Sequence, residues 1–202
     1  MRFRRPLMRD VVRLQVSNRK SEMSKERISF ILQPTLSGKY VSVRPLLESD
    51  REELYKVAAD PLIWKQHPDK KRHTRSGFYE FFSESVGSGG ALLVSDSVTG
   101  GVIGSSRYFG YDAKNNQVEI GWTFLARSHW GGQYNGELKQ LMLEHAFRYV
   151  EAVVFYIDPD NRRSQKSVEK IGALRDKNRD NKGRVVYRIH KSEYAASANP
   201  RN

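Results

Sequence analysis

The stretch from Trp122 to Glu137 carries the strongest chemical signal in the chain. A strand runs into a glycine-containing loop, Trp130-Gly131-Gly132-Gln133-Tyr134-Asn135-Gly136, and that loop opens an amphipathic helix. Backbone N–H groups at such a junction are unpaired and converge on one spot, where the helix dipole favours negative charge. The chemistry this suits is the binding of a pyrophosphate, although a glycine pair at a strand-to-helix turn can also serve sterics alone. The sequence has no cysteine, which excludes disulfides, thiolate metal sites and a cysteine-bound intermediate. Its five histidines, His67, His73, His129, His145 and His190, show no metal-ligand spacing, so no metal is expected.

The elements that must hold this loop alternate between the two kinds of secondary structure. Lys39 to Leu46 alternates around Tyr40-Val41-Ser42-Val43 and predicts a strand. Ser49 and Glu52 have capping-box spacing, so a helix is expected there, with Leu54, Val57 and Ala58 as its apolar face and an end near Asp60-Pro61. Residues 61–76 read as a polar, basic loop, followed by a Phe-rich helix from Ser76 to Val86 that stops at a glycine cluster. Three antiparallel strands follow, Ala91 to Asp96, Val102 to Tyr108 and Gln117 to Ala126, with turns at 98–101 and at Asn115-Asn116. Leu138, Leu141, Met142, Ala146 and Tyr149 give residues 135–150 helical periodicity. Ala152 to Ile157 is a wholly apolar, buried strand, and Asn161 to Ile171 a helix ended by Gly172. A last hairpin turns at Asn181-Lys182-Gly183 into Val185 to Ile189. The order predicts an α/β (α+β) layout with a mixed sheet.

Length and composition bound the rest. At 202 residues and 38% hydrophobic, the chain is expected to form one globular domain at residues 35–196. Residues 1–34 are expected to form a basic, flexible arm and residues 197–202 a disordered tail. Half of the formal net charge of +12 lies in residues 1–27, where nine Lys/Arg face Asp10, Glu22 and Glu26. Such an arm can bind RNA, a ribosome or an anionic surface, or be solvated and without a role, as it would be if translation began at Met23. No apolar run approaches a membrane span, and the cytoplasm is the default location.

Four segments make the chain similar to the GNAT acetyltransferases, in particular to their ribosomal-protein-alanine acetyltransferase-like branch. They are Gly38-Lys39-Tyr40-Val41-Ser42-Val43-Arg44-Pro45-Leu46, Val118-Glu119-Ile120-Gly121-Trp122, the loop and helix from Trp130 to Phe147, and Asn161-Arg162-Arg163-Ser164 through Glu169-Lys170-Ile171-Gly172-Ala173. The resemblance implies a mixed, mostly antiparallel sheet flanked by helices, and acetyl-CoA as co-substrate. It implies that Trp130, Gly131, Gly132, Gln133, Tyr134, Asn135 and Gly136 hold the pyrophosphate, largely through backbone N–H groups. The pantetheine arm would pair like a strand with Phe124, Leu125 and Ala126, with Asn161 and Ser164 beside it. The chain departs from the family pattern at Gln133 and Asn135, which replace the small phosphate-loop residues, and at Val168, which replaces a thiolate-protonating tyrosine.

An amine attacks a thioester only when neutral, so a base must take its proton. Glu119 is the candidate, the other reading being an outward-facing strand residue, since Val118, Ile120, Trp122 and Phe124 alternate with it. Ser164 or water would protonate the thiolate, and splayed backbone N–H groups would polarise the carbonyl. Trp64 and His67 either wall the amine pocket or pack the core. Lys70, Lys71 and Arg72 either attract an anion or are solvated, His129 adjoins the phosphate loop, and His145 borders the apolar helix face. The expected activity is direct acetyl transfer in a ternary complex to a peptide N-terminus or small amine, by a monomer or homodimer. The alternative is a catalytically weak domain that binds RNA or the ribosome through its arm, and a drug-like aminoglycoside is a further possible acceptor.

Overall fold

The computed structural model describes residues 30–179 and 183–198. Residues 1–29 of the expected basic arm, residues 180–182 at the expected turn, and residues 199–202 of the expected tail lie outside them. The strands are β1 (Leu36–Ser37), β2 (Val41–Pro45), β3 (Ala91–Asp96), β4 (Val102–Asp112), β5 (Gln117–Leu125), β6 (Ala152–Ile157), β7 (Leu174–Arg175) and β8 (Val185–His190). The α-helices are α1 (Arg51–Ala58), α2 (Arg75–Gly87), α3 (Tyr134–Ala146), α4 (Arg162–Glu169) and α5 (Lys191–Ala198). One sheet takes the order β1-β2-β3-β4-β5-β6-β8-β7, antiparallel throughout except between β5 and β6. A parallel pair needs a crossover, and α3 supplies it.

Two apolar clusters sandwich this sheet. On one face Leu46, Leu54, Ile63, Trp64, Phe78, Phe81, Phe82, Leu93 and Phe124 bury α1 and α2. On the other, Val43, Leu92, Tyr108, Val118, Ile120, Leu138, Met142, Phe155 and Val168 bury α3 and α4. Alternation along β5 sends Val118 and Ile120 to the α3 face and leaves Glu119 on the α2 face. At Trp122 that alternation breaks. Its φ is +52°, and the register slips between Ser105 and Arg107 of β4, so β5 carries one extra residue. Past the bulge, Thr123 and Leu125 face α3 while Phe124 joins the α2 cluster.

The first three residues of β5 pair with β6, Gln117 with Ala152, Val118 with Val153 and Glu119 with Val154. Beyond Glu119 the two strands separate, and β5 runs on to Leu125 beside an open wedge.

Four expectations change. The folded region begins earlier than residue 35, because Phe30 is buried with its ring 5.2 Å from that of Tyr108. Residues 191–198 form α5 rather than ending in a disordered tail from 197. The Ser49–Glu52 capping box does not form. Instead the Asp50 carboxylate accepts from Leu47 N–H at 2.8 Å and takes both arms of the Arg44 guanidinium, at 2.7 and 2.8 Å, ahead of α1. The 61–76 loop is organised into two 3-10 turns, Pro61–Trp64 and Lys70–His73, capped by Asp60 and Asp69.

Candidate active site

Two carboxylates moor the phosphate-loop end of α3 to the sheet. Glu137, in the first turn of the helix, accepts from the N–H groups of Lys39, Tyr40 and Val41 at 2.8, 2.6 and 2.8 Å. Gly38 permits this contact, because a Cβ there would sit 2.5 Å from the Glu137 carboxyl carbon. Asp96, in the β3–β4 turn, accepts from the N–H groups of Val98 and Thr99 and from the Tyr134 hydroxyl at 2.9 Å. Those bonds hold its pKa down to about 2. His129 stands edge-on to Tyr134 with Nε2 3.5 Å from Asp96.

The loop between β5 and α3 makes a 3-10 turn at Arg127–His129 and then passes through Gly131 at φ +73°. Gln133 sits at φ −84°, ψ −16°, an ordinary helical conformation. The one loop position that requires a glycine is therefore Gly131, and Gln133 costs no backbone strain. Glu137 N–H bonds back to the Gln133 carbonyl at 2.9 Å, while the N–H groups of residues 131–136 have no acceptor among the described residues. Asn135 donates to Ser167 Oγ at 2.7 Å, which ties the start of α3 to α4.

Beside the loop lies an open pocket of about 460 Å³ lined by Lys65, Arg127, Trp130, Arg162, Arg163 and Lys166, together with Leu62 and Gln66. The Arg163 guanidinium lies over the Trp130 ring at 4.2 Å and donates to the Ile63 carbonyl at 2.6 Å. Arg127 pairs with Asp60. Five cations with unpaired backbone donors alongside suit a ligand carrying several phosphate groups. A CoA diphosphate and 3′-phosphate fit such a donor set.

Phe124, Leu125 and Ala126 form the lip of the wedge, but not all their polar groups are unengaged. Ala126 N–H donates to Ile103 at 2.7 Å, and the Leu125 carbonyl accepts the Trp130 indole N–H at 2.9 Å. A chain pairing there must use the second lone pair of Leu125 or displace that indole. Across the wedge, Asn161 caps α4, its Oδ1 accepting from Ser164 N–H at 3.1 Å. Val168 is buried in the α3-side core, where it contributes packing only.

Glu119 occupies the last rung of β5–β6 pairing, where the wedge opens. It is half-buried, and its carboxylate makes no hydrogen bond or ion pair among the described residues. Burial raises its pKa to about 7 against the opposing pull of Arg184 and Arg107. Trp64 does not present its ring to solvent. It is 3% exposed, donates to the Ala58 carbonyl at 2.8 Å and packs 5.0 Å from Phe124, so it shapes the site through the core. His67 stands edge-on to Trp64 at 5.6 Å, its pKa lowered by burial and then by Arg72. Of the basic run, Lys70 and Lys71 are exposed, while the Arg72 guanidinium lies 4.4 Å from the Phe81 ring.

Sequence patterning did not single out two further residues. Arg107 is 4% exposed on β4, and its signal was a lone cation in the middle of a strand whose other residues up to Tyr111 are uncharged. Lys139 is also 4% exposed, donates to Thr123 Oγ1 at 2.6 Å and lies 5.6 Å from the Phe155 ring, and burial lowers its pKa to about 7. It follows Leu138 in the helix, where spacing alone gives a boundary position.

A GNAT acetyltransferase-domain profile matches residues 41–174, and the chain belongs to that family. No curated protein matches the sequence significantly. Among solved structures, a GCN5-related N-acetyltransferase from Brucella melitensis is 19% identical with a TM-score of 0.70, over 81% of each chain. A candidate acetyltransferase from T. thermophilus is 27% identical over 80% of this chain and 92% of its own, with a TM-score of 0.64. A protein described as a candidate ribosomal-protein-serine acetyltransferase from Vibrio cholerae is 15% identical over 78% and 97%, at TM-score 0.63. The GNAT fold is thus shared, and acetyl transfer is the activity of the family.

Proposed function

We propose that the protein is an N-acetyltransferase that moves an acetyl group from acetyl-CoA to a primary amine, by direct transfer in a ternary complex. The observation that carries this reading is Glu119, a desolvated carboxylate without a partner among the described residues, at the point where β5 and β6 part. A carboxylate with a pKa of about 7 is matched to accepting a proton at neutral pH.

Acetyl-CoA supplies an activated acetyl thioester when bound. Its diphosphate belongs on the N–H groups of residues 131–136, with Arg127, Arg162, Arg163 and Lys166 as counter-charges and Trp130 as a wall. Phe124, Leu125 and Ala126 line the pantetheine channel opposite Asn161 and Ser164. Glu119 takes the proton from the acceptor ammonium, directly or through water. The neutral nitrogen then bonds to the thioester carbon as the C–S bond breaks, and the second proton, which the nitrogen loses on becoming an amide, passes through Ser164 or water to the departing sulfur. His67 borders the acceptor side and Trp64 supports it from the core. The acceptor is a peptide N-terminus or a small amine, and the protein works in the cytoplasm.

Isothermal titration with acetyl-CoA, followed by CoA release in the presence of amines, tests the reading. Micromolar binding is the expected result. No detectable binding would remove the phosphate-loop assignment, and the transferase reading with it.

A further inference from the structure

Arg107 and Glu119 face each other across the β4–β5 ladder without meeting. Glu119 is opposite Phe109, and Arg107 is opposite Gly121, two residues further along the same face. Gly121 contributes no side chain between them. A Cβ there would lie 3.1 Å from Glu119 Oε1, so the carboxylate reaches over the rung that Arg107 occupies. The guanidinium lies over the Trp122 ring at 4.4 Å and donates through Nη2 to Ser85 Oγ. No ion pair joins the two residues among the described residues, and the Arg107 Nε is buried with no hydrogen-bond partner. A buried, unpaired donor on a charged group is costly and is retained where something supplies the missing acceptor.

Arg72, Glu84 and Glu119 bear on Arg107, while Arg107 and Arg184 bear on Glu119. Arg72 is itself paired with Asp69 at 3.1 Å, so three arginines stand against three carboxylates, and none of the three forms an ion pair with Arg107 among the described residues. Burial lowers the Arg107 pKa only to about 10, so the side chain is a cation at pH 7. Nε–H and a neighbouring Nη–H form the planar fork that a carboxylate fills with two parallel hydrogen bonds.

Resting on the acetyltransferase reading above, we propose that the acceptor amine carries a carboxylate a few bonds from its nitrogen, and that Arg107 binds that carboxylate while Glu119 receives the amine. Diagonal neighbours on paired strands are about 7–8 Å apart, within reach of two long side chains, so one small acceptor can touch both. Two acceptors share this chemistry. One is a free amino acid with its α-carboxylate, and the other is a peptide whose first residue is Asp or Glu.

Matched acceptor pairs separate these sources and test the inference. The first pair is alanine against alaninamide, and the second is a peptide beginning with Asp against the same peptide beginning with Asn. The expected result is a kcat/KM ratio, acid over amide, on the order of tenfold or more in one pair. Arg107→Met should collapse that ratio to near one, and Arg107→Lys should restore only part of it. Acetyl-CoA titration of each variant establishes that it is folded. Equal rates for acid and amide in the wild type, or a preference that survives Arg107→Met, would overturn the inference. So would a protein that binds acetyl-CoA and acetylates neither pair. If acetyl-CoA does not bind at all, the transferase reading fails instead. Calorimetry of acid against amide on the free protein then decides the Arg107 site, equal affinities overturning it.

Discussion

Two titratable side chains reach a pKa of about 7 on opposite faces of β5, and they reach it from opposite directions. Glu119 is raised there and Lys139 is lowered there, with burial the largest cause in both. Their surroundings differ. Lys139 is enclosed by α3, Thr123 and Phe155, with one hydroxyl as its hydrogen-bond partner among the described residues. Glu119 is half-buried at the mouth of the wedge, with two arginines acting on it and no contact partner among the described residues. A perturbed pKa marks desolvation, and desolvation alone does not distinguish a working group from a packed one. Access and unsatisfied neighbours do, and both lie on the Glu119 side.

The largest effect that would sharpen this contrast is on turnover. Glu119→Gln keeps the shape and removes the base, so kcat should fall by about 10²–10⁴-fold while acetyl-CoA affinity is retained. The wild-type rate should rise with pH through an apparent pKa near 7, as the carboxylate loses its proton. In the folded protein Glu119 holds a proton from its ordinary 4.5 up to about 7, where the unfolded chain has released it. Its contribution to stability therefore falls as pH rises through that window, by about 3 kcal/mol. Turnover unchanged in Glu119→Gln would make the two faces equivalent and the carboxylate a bystander.

How far this site could be foreseen depended on the range of the interaction that made each part. The β6 strand was read with its observed bounds, and β5 and α2 within one residue at each end, because apolar alternation and helical spacing are local patterns. The phosphate loop was legible for the same reason, as glycines between a strand and a helix. The Asp50 cap was missed because its bond to Arg44 competes with the Ser49–Glu52 spacing. The bulge at Trp122 was invisible, since it is a mismatch in length between two strands and no single residue carries it. That bulge decides which face Thr123 and Phe124 take, and hence where Lys139 finds its partner. Arg107 and Lys139 were hidden likewise, their burial being set by contacts with residues more than ten positions away.

A smaller effect is expected from Lys139→Met, and on stability. Between about 7 and the ordinary lysine value of 10.5, the unfolded chain carries a proton on this side chain that the folded chain does not. Stability should therefore rise with pH across that window, with a slope opposite in sign to that from Glu119. Methionine removes the cost of discharging or burying the ammonium and should stabilise the protein at pH 7 by up to about 4 kcal/mol. Denaturant unfolding at pH 7 and pH 10 measures both quantities. A destabilised variant would mean that the bond to Thr123 outweighs the desolvation of the charge, and that the lysine side of β5 is built around its cation.

The smallest effect concerns the phosphate loop, which both faces of β5 lead into. Asn135→Asp keeps an acceptor for Ser167 and places a carboxylate in the first turn of α3, where the helix dipole favours it. The fold should therefore be retained or slightly stabilised. The same carboxylate stands next to unpaired N–H groups assigned to a diphosphate, and like charges about 4 Å apart repel by about 1 kcal/mol even at the dielectric of bulk water. Acetyl-CoA should bind about tenfold more weakly to the variant, most clearly at low salt, where screening is least. Affinity that is equal, or independent of salt, would detach the cofactor from this helix end and leave the five cations beside Trp130 as its binding surface.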